Sequence, residues 1–279
     1  MLDKTTPVIL TYNEAPNIGR TLAQLRWARD IVVVDSFSDD ETLEIVSKFP
    51  QARVYQRRFD DFASQWIFAL NATAIQMEWV LALDADFVLT EEIVSEFQNL
   101  QPVESRSGYR VPLIYCVKGR RLRHSLLPKL TVLYRRRVVT FSADAHTYQI
   151  NLEGDVGTLD AAILHDDRKP FARWFASQKH YMELEAPKLL TLPRRELNAA
   201  DRLRRLRIIA PGAVFVYCLA RGGILDGAAG FSYAWQRFVA ECLLSLNLIA
   251  YDLKLKKIDK RAPSGRGLMA VKPKAADIN

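Results

Sequence analysis

The sequence predicts an α/β fold, a doubly wound Rossmann-like mixed sheet followed by amphipathic helices at the C-terminal end. Three observations predict it. Short apolar runs alternate with helical patterns through the first hundred residues, as βαβ units around a parallel sheet require. The run Ile31-Val32-Val33-Val34 is β-branched at every position, as expected of a strand buried on both faces. Three runs also stop on acidic residues: Glu14 follows Tyr12 by two positions, Asp35 follows Val34, and Asp84 follows Leu83. Ligands of doubly wound sheets bind beyond the carboxyl ends of the strands, so the coincidence locates a site.

The elements follow in order. Val8 to Tyr12 is the first strand, and Pro16-Asn17 opens a helix through Trp27. The second strand stops at Asp35-Ser36-Phe37-Ser38-Asp39-Asp40, a run of helix-capping residues, before a helix through Lys48. Val54-Tyr55 marks a third strand, residues 62–77 a third helix, and Trp79 to Leu83 a fourth strand closed by Asp84-Ala85-Asp86. Shorter strands then follow at Gly108–Val117, Thr131–Tyr134, Tyr148–Leu152 and Ala161–His165, an antiparallel or mixed extension of the sheet. Residues 171–192 read as a helix. The predicted organisation is an α/β unit over 1–170, a helical region over 171–255 and a basic tail over 256–279.

Composition narrows the function classes. With 279 residues, 49% hydrophobic and 25% charged, the chain can bury a core without disulfide or zinc staples. Cys116, Cys218 and Cys242 are odd in number and form no CxxC pair, which favours a reduced compartment. The N-terminus runs straight into Pro7-Val8-Ile9-Leu10, leaving no room for a signal peptide. The expected location is therefore cytoplasmic. Residues 1–100 hold 8 Lys/Arg against 16 Asp/Glu, and the remainder 31 against 16, for a net +7. That asymmetry argues against a uniform nucleic-acid-binding surface.

The basic excess lies beside apolar runs. Arg194, Arg195, Arg202, Arg204, Arg205 and Arg207 precede Ile208–Ala220, then a Gly-rich hinge over 221–227 and an apolar helix from about Phe231 to Leu253. The first run is shorter than the ~20 residues that span a bilayer. The second is interrupted by Arg237, Glu241 and Asn247. Both fit the membrane interface, on the inner face of the cytoplasmic membrane. Packing on the α/β unit or on a partner is the competing explanation.

Asp84-Ala85-Asp86 is the sharpest chemical signal. Two carboxylates one residue apart, just past a buried strand, can hold Mg²⁺ or Mn²⁺ and leave positions for diphosphate oxygens; the bland alternative is a solvated turn. Asp35 can accept from a nucleobase imide or a ribose hydroxyl, or simply cap the next helix. Glu14 carries the same ambiguity. The cluster Arg120, Arg121, Arg123, Lys129 and Arg135–Arg137 is either a solvated face or a source of one or two contacts to an anionic ligand.

These pieces, taken together, resemble family 2 glycosyltransferases of the GT-A fold. The resemblance rests on Thr11-Tyr12-Asn13-Glu14, on Val32-Val33-Val34-Asp35 with Ser36 to Thr42, and on Trp79 to Asp86. Within the family the chain looks most like the branch holding lipopolysaccharide-core β-glucosyltransferases, through Phe62 to Gln65, Leu122-Arg123-His124, Arg135-Arg136-Arg137, the Asp144–His165 stretch and Gly223 to Gly227. The resemblance implies an inverting transfer of a hexose from a nucleoside-diphosphate sugar, usually a UDP-sugar, to a glycan or lipid-linked acceptor in cell-envelope or polysaccharide synthesis. By position it implies donor contacts from Thr11, Tyr12, Glu14, Asp35, Gln65 and Asp84, and a metal held by Asp86 with Asp84 and His165.

Two departures matter. The branch shows Val-His-Glu where this chain reads Asp144-Ala145-His146-Thr147. Thr147 cannot take a proton, so Asp144 or His146 is the expected base, with Asp144 favoured. Trp66-Ile67 stands where the branch carries a basic residue and Asn. Two rival readings remain: a non-catalytic family member that binds a nucleotide sugar or a partner, and a haloacid-dehalogenase-like phosphatase. The second wants its DxD on the first strand.

Overall fold

The computed structural model describes residues 1–144 and 147–255. The main sheet has seven strands: β1 (Thr5–Thr11), β2 (Ile31–Asp35), β3 (Ala52–Gln56), β4 (Trp79–Asp84), β6 (Arg106–Val111), β9 (Leu130–Arg135) and β12 (Asp155–Thr158). Their order is β12-β6-β9-β4-β1-β2-β3. Strands β4, β1, β2 and β3 run parallel, while β9 is antiparallel to both β4 and β6. The doubly wound half thus grades into the expected mixed extension.

Alternation sorts the two cores. Ile9, Val33, Leu81 and Leu83 point to one face, against α1 (Ile18–Ala23) and α4 (Glu91–Asn99). Val8, Val32, Val34, Val80 and Ala82 point to the other, beneath α3 (Phe62–Ala72) and the hairpin β10 (Val139–Asp144) with β11 (Thr147–Leu152). Strands β1, β2 and β4 are buried almost throughout, which accounts for their continuous apolar spelling.

Several boundaries differ from expectation. The first helix stops at Ala23, short of Trp27, and the third at Ala72, before Ala74 turns to φ 52°. The expected strand 108–117 is broken at Pro112, which has no N–H to continue a ladder. Its halves enter different sheets: β6 joins the main one. β7 (Leu113–Val117) joins a small sheet with β5 (Phe87–Leu89), β8 (Arg120–Arg121) and β13 (Ile163–His165).

The C-terminal region is helical: α5 (Phe171–Thr191), α6 (Ala199–Arg204), α7 (Ile209–Cys218) and α8 (Gly227–Asp252). A side chain at Gly230 would strike the Gly223 carbonyl at 2.1 Å, so the hinge glycine and the first turn of α8 meet backbone to backbone. The arginine-rich lead is largely structural. Arg204 holds Glu241, 1% exposed on α8, through bonds of 2.9–3.2 Å; Arg207 grips Asp252; and Arg205 caps the carbonyls of Leu189 and Leu192. Arg194, Arg195 and Arg202 alone of that group stay exposed. The predicted basic tail lies outside the described residues.

Candidate active site

The three acidic strand ends share one edge. Thr11 stands opposite Asp35 and Leu10 opposite Asp84. Because β4 and β2 flank β1, Asp84 and Asp35 lie about two strand spacings apart, ~10 Å.

Asp84 ends β4, and Asp86 follows on a tight turn into β5. The Thr21 hydroxyl pins that turn by donating to the Ala85 and Phe87 carbonyls at 2.6 and 2.8 Å. Strand β13 runs antiparallel to β5 with His165 opposite Phe87, and the Asp166 N–H donates to the Asp86 carbonyl at 3.0 Å. The pairing delivers the His165 imidazole to Asp86, with Nε2 3.3 Å from Oδ2. The other polar atoms of the pair, Asp86 Oδ1 and His165 Nδ1, are buried without a partner.

Burial, reinforced by the charge of Asp86, pushes the Asp84 carboxyl up to about 7. Burial opposes charge on the other two groups as well, but their mutual attraction wins. Asp86 sits well below the usual carboxylate range, and His165 rises to about 9. Uncompensated negative charge beside an orphaned carboxylate oxygen fits a divalent cation. The expected trio of ligands is not assembled, however. Among the described residues no three His, Cys, Asp or Glu side chains group closely enough to hold an ion. Asp86 and His165 form a pair, Asp84 adds its field, and further donors have to come from the ligand.

Glu14 closes the near side. Burial raises its carboxyl and Lys169 pulls it back; the Lys169 ammonium lies 2.5 Å from Oε1, and Asn17 Nδ2 donates to Oε2 at 2.8 Å. Tyr12 is 51% exposed, with the Arg173 guanidinium 5.4 Å from its ring centre and donating to its carbonyl at 3.0 Å. Thr11 is buried with its hydroxyl unpartnered.

Asp35 and Gln65 are both held in bonds within the protein. Asp35 has no exposed surface, and its oxygens accept from Ser38 N, Ser38 Oγ and Gln56 Nε2. It braces the turn, as an Asx residue there can. Gln65, 1% exposed, donates to Ser36 Oγ and accepts from Arg57. It ties two loops together and faces no open space.

Asp144 ends β10, half-buried, with Lys188 Nζ of α5 at 2.7 Å and Gln149 Nε2 donating at 3.2 Å. Thr147 stands opposite it. His146, the alternative base, lies outside the described residues.

The model of the family described as Glycosyl transferase family 2 matches residues 6–146, just over half of the chain and the stretch that carries Glu14, Asp84, Asp86 and Asp144. The chain belongs to glycosyl transferase family 2. This family member is 26% identical over 147 residues to an uncharacterized glycosyltransferase of Rickettsia prowazekii, covering 50% of this chain and 49% of that one. To another uncharacterized glycosyltransferase, of Rickettsia bellii, it is 23% identical over 210 residues, 70% of each chain. It thus spans about half the length of the first relative. Among solved structures it is similar to S. aureus TarS 1–349 in complex with UDP-GlcNAc (TM-score 0.48, 16% identity, 95% of this chain and 99% of that one). It is also similar to the mannosyltransferase PcManGT from Pyrobaculum calidifontis in complex with GDP-Man and Mn²⁺ (TM-score 0.48, 17% identity, 90% and 86%). The central mixed α/β sheet is the fold expected of this family.

Sequence reasoning missed part of this family 2 site. Asn17, 1% exposed, donates to Glu14 and Asp167 and accepts from Arg20 and the Arg168 N–H. It is the hub joining the α1 start to the turn Asp166-Asp167-Arg168-Lys169. On α5, Arg173, Tyr181 and Lys188 share one face by their spacing; Tyr181 lies in the field of Lys169, Asp84, Asp86 and Glu14. The run of charges directly after His165 was the available signal. Of the second basic cluster, Arg135 pairs with Glu78 and stacks on Trp79, Arg136 donates to the Leu70 carbonyl, and Arg123 pairs with Asp226. Those three are structural.

Proposed function

We propose that the protein is an inverting glycosyltransferase that moves a hexose from a nucleoside-diphosphate sugar, a UDP-sugar, to a glycan or lipid-linked acceptor of the cell envelope. The observation that carries this reading is the Asp86–His165 pair, with its orphaned buried atoms, at the edge where Glu14 and Asp84 converge. Asp86 and His165, whose imidazole would give up its proton to solvent on binding the ion, would hold Mn²⁺ or Mg²⁺, which supplies positive charge to the departing diphosphate. The exposed face of Tyr12 offers a platform for the nucleobase.

Inversion needs a base on the acceptor side. Asp144 takes the acceptor hydroxyl proton, and Lys188 and Gln149 fix its direction. That arrangement supplies a carboxylate despite Thr147. It argues against a non-catalytic binding protein, which has no use for an aimed acid beside a donor site. The phosphatase alternative leaves the Glu14 corner unexplained.

We place the enzyme on the inner face of the cytoplasmic membrane. No helix among the described residues is long and apolar enough to cross a membrane. The stretch through α7, the hinge and the start of α8 instead exposes Ile208, Ile209, Val216, Ile224, Phe231 and Trp235. Ile224, Phe231 and Trp235 border a cleft of about 630 Å³. Aliphatic and aromatic side chains along a helical hairpin suit the lipid interface.

Incubation with a panel of UDP- and GDP-sugars and Mn²⁺ tests the donor reading. Slow release of UDP in the absence of acceptor is the expected result. Release of inorganic phosphate with no sugar-nucleotide requirement would support the phosphatase.

A further inference from the structure

Lys169 is half-buried beside Glu14, and the donor chemistry proposed above gives it no role. Its side chain is 15% exposed, and its ammonium lies 2.5 Å from Glu14 Oε1 and 3.5 Å from Asp167 Oδ1. Its backbone N–H is anchored separately, donating to Asp167 Oδ1 at 2.9 Å, so the side chain can swing without unseating the turn. The cations around it are bound elsewhere. Arg20 and Arg168 both hold Asp166, His165 holds Asp86, and Arg173 holds Tyr12. Lys169 instead engages Glu14, a carboxylate that the nucleoside would need free. A lysine is a flexible point charge suited to following a phosphate.

We propose that Lys169 is a ligand of the donor diphosphate, and that donor binding exchanges its bond to Glu14 for one to a phosphate oxygen. The exchange couples two events. Negative charge arriving beside Asp86 draws the ammonium inward, and the vacated Glu14 Oε1 becomes an acceptor for the nucleoside. No covalent bond changes and no proton leaves Lys169. In the transfer itself the ammonium adds fixed positive charge where the leaving group gains negative charge. The inference rests on the donor chemistry proposed above.

Calorimetric titration of uridine, UMP and UDP in Mn²⁺ tests it, with GDP and GMP in parallel. The proteins are the full-length wild type, Lys169→Met, Lys169→Arg and the double variant Glu14→Gln/Lys169→Met, which removes both charges and so leaves no orphaned carboxylate. Loss of a charged hydrogen bond predicts roughly 10- to 100-fold weaker UDP binding by Lys169→Met. Uridine binding should not weaken by more than about twofold, since Glu14 is then vacated, and Lys169→Arg should recover most of the UDP affinity. The double variant should likewise lose UDP affinity selectively, with uridine affected far less. Equal losses for uridine and UDP would reduce Lys169 to a prop for Glu14 and overturn the proposal, as would unchanged UDP binding. A wild type that binds neither UDP nor GDP would overturn the donor reading itself, and this inference with it.

Discussion

Asp86 and His165 illustrate how much one side-chain pair can be asked to do. Asp86 is buried and His165 half-buried, each keeps one buried polar atom without a partner among the described residues, and each favours the charged form of the other. Replacement of Asp86 by Ala should abolish transfer, by on the order of 10³-fold or more, while circular dichroism and melting show an intact fold. Near-normal turnover would remove the metal role. The pair also sets a pH dependence for the metal-free protein. His165 carries a pKa raised to about 9, so its stabilisation is complete below the unfolded value of ~6.5 and is lost as pH rises through 9. Asp84, raised to about 7, adds a penalty of the same sense as it ionises between the unfolded value of ~3.9 and 7. Thermal melts in chelator should therefore fall steadily from pH 6 to pH 9, and His165→Gln should flatten the upper part of that slope. A melting temperature that rises across this range would contradict the assignment.

At the scale of elements, the site depends on α5 reaching back over the sheet edge. Lys188 joins Asp144 at 2.7 Å and Arg173 sits over one face of Tyr12, so a helix outside the doubly wound sheet touches both the proposed donor side and the proposed acceptor side. Asp144→Asn should lower kcat by about 10²–10⁴-fold, the range for a lost general base, with little change in donor KM. An equal loss in both would indicate binding instead of proton abstraction. The strands that build the site were legible because their spelling is local: β-branched runs closed by an acid need no partner to be read. The brace role of Asp35 was not, since it depends on Gln56 arriving from β3. Nor was the Asn17 hub, whose bonds to Asp167 and Arg168 close over 150 and 151 residues of sequence. The hairpin β10–β11 was half visible: Tyr148–Leu152 showed as a strand, while Val139–Asp144 was hidden behind the preceding arginines.

The whole molecule sets a chemical edge beside an apolar flank. The His165 ring meets Tyr115 at a tilt, 5.2 Å between centres, Tyr115 meets Tyr233 of α8 likewise at 4.8 Å, and the Tyr115 hydroxyl donates to Gln236. The helices proposed for membrane contact are therefore one aromatic layer from the Asp86–His165 pair. Truncation near Ala210 would strip that layer as well as the apolar face, so surface substitutions make the cleaner test. Changing Ile224, Phe231 and Trp235 together to Ser should sharply reduce sedimentation with anionic vesicles, since each buried apolar side chain contributes about 1.5–3 kcal/mol. UDP release should persist. Unchanged pelleting would move the membrane contact elsewhere. The arginines of residues 194–207 promised a lipid-facing cluster, but three of the six turned inward, because Glu241, Asp252 and two helix-end carbonyls lie within reach only once α6 and α8 have packed. Charge clusters read from sequence carry no direction; tertiary packing supplies it.

The most direct measurement is an anomalous-scattering map of crystals soaked with UDP and Mn²⁺. The account predicts a manganese peak within coordination distance of an Asp86 carboxylate oxygen and His165 Nε2, with the diphosphate completing its shell and the base over Tyr12. Nucleotide bound away from the Glu14–Asp84–Asp86 edge, or manganese seated without Asp86, would contradict it.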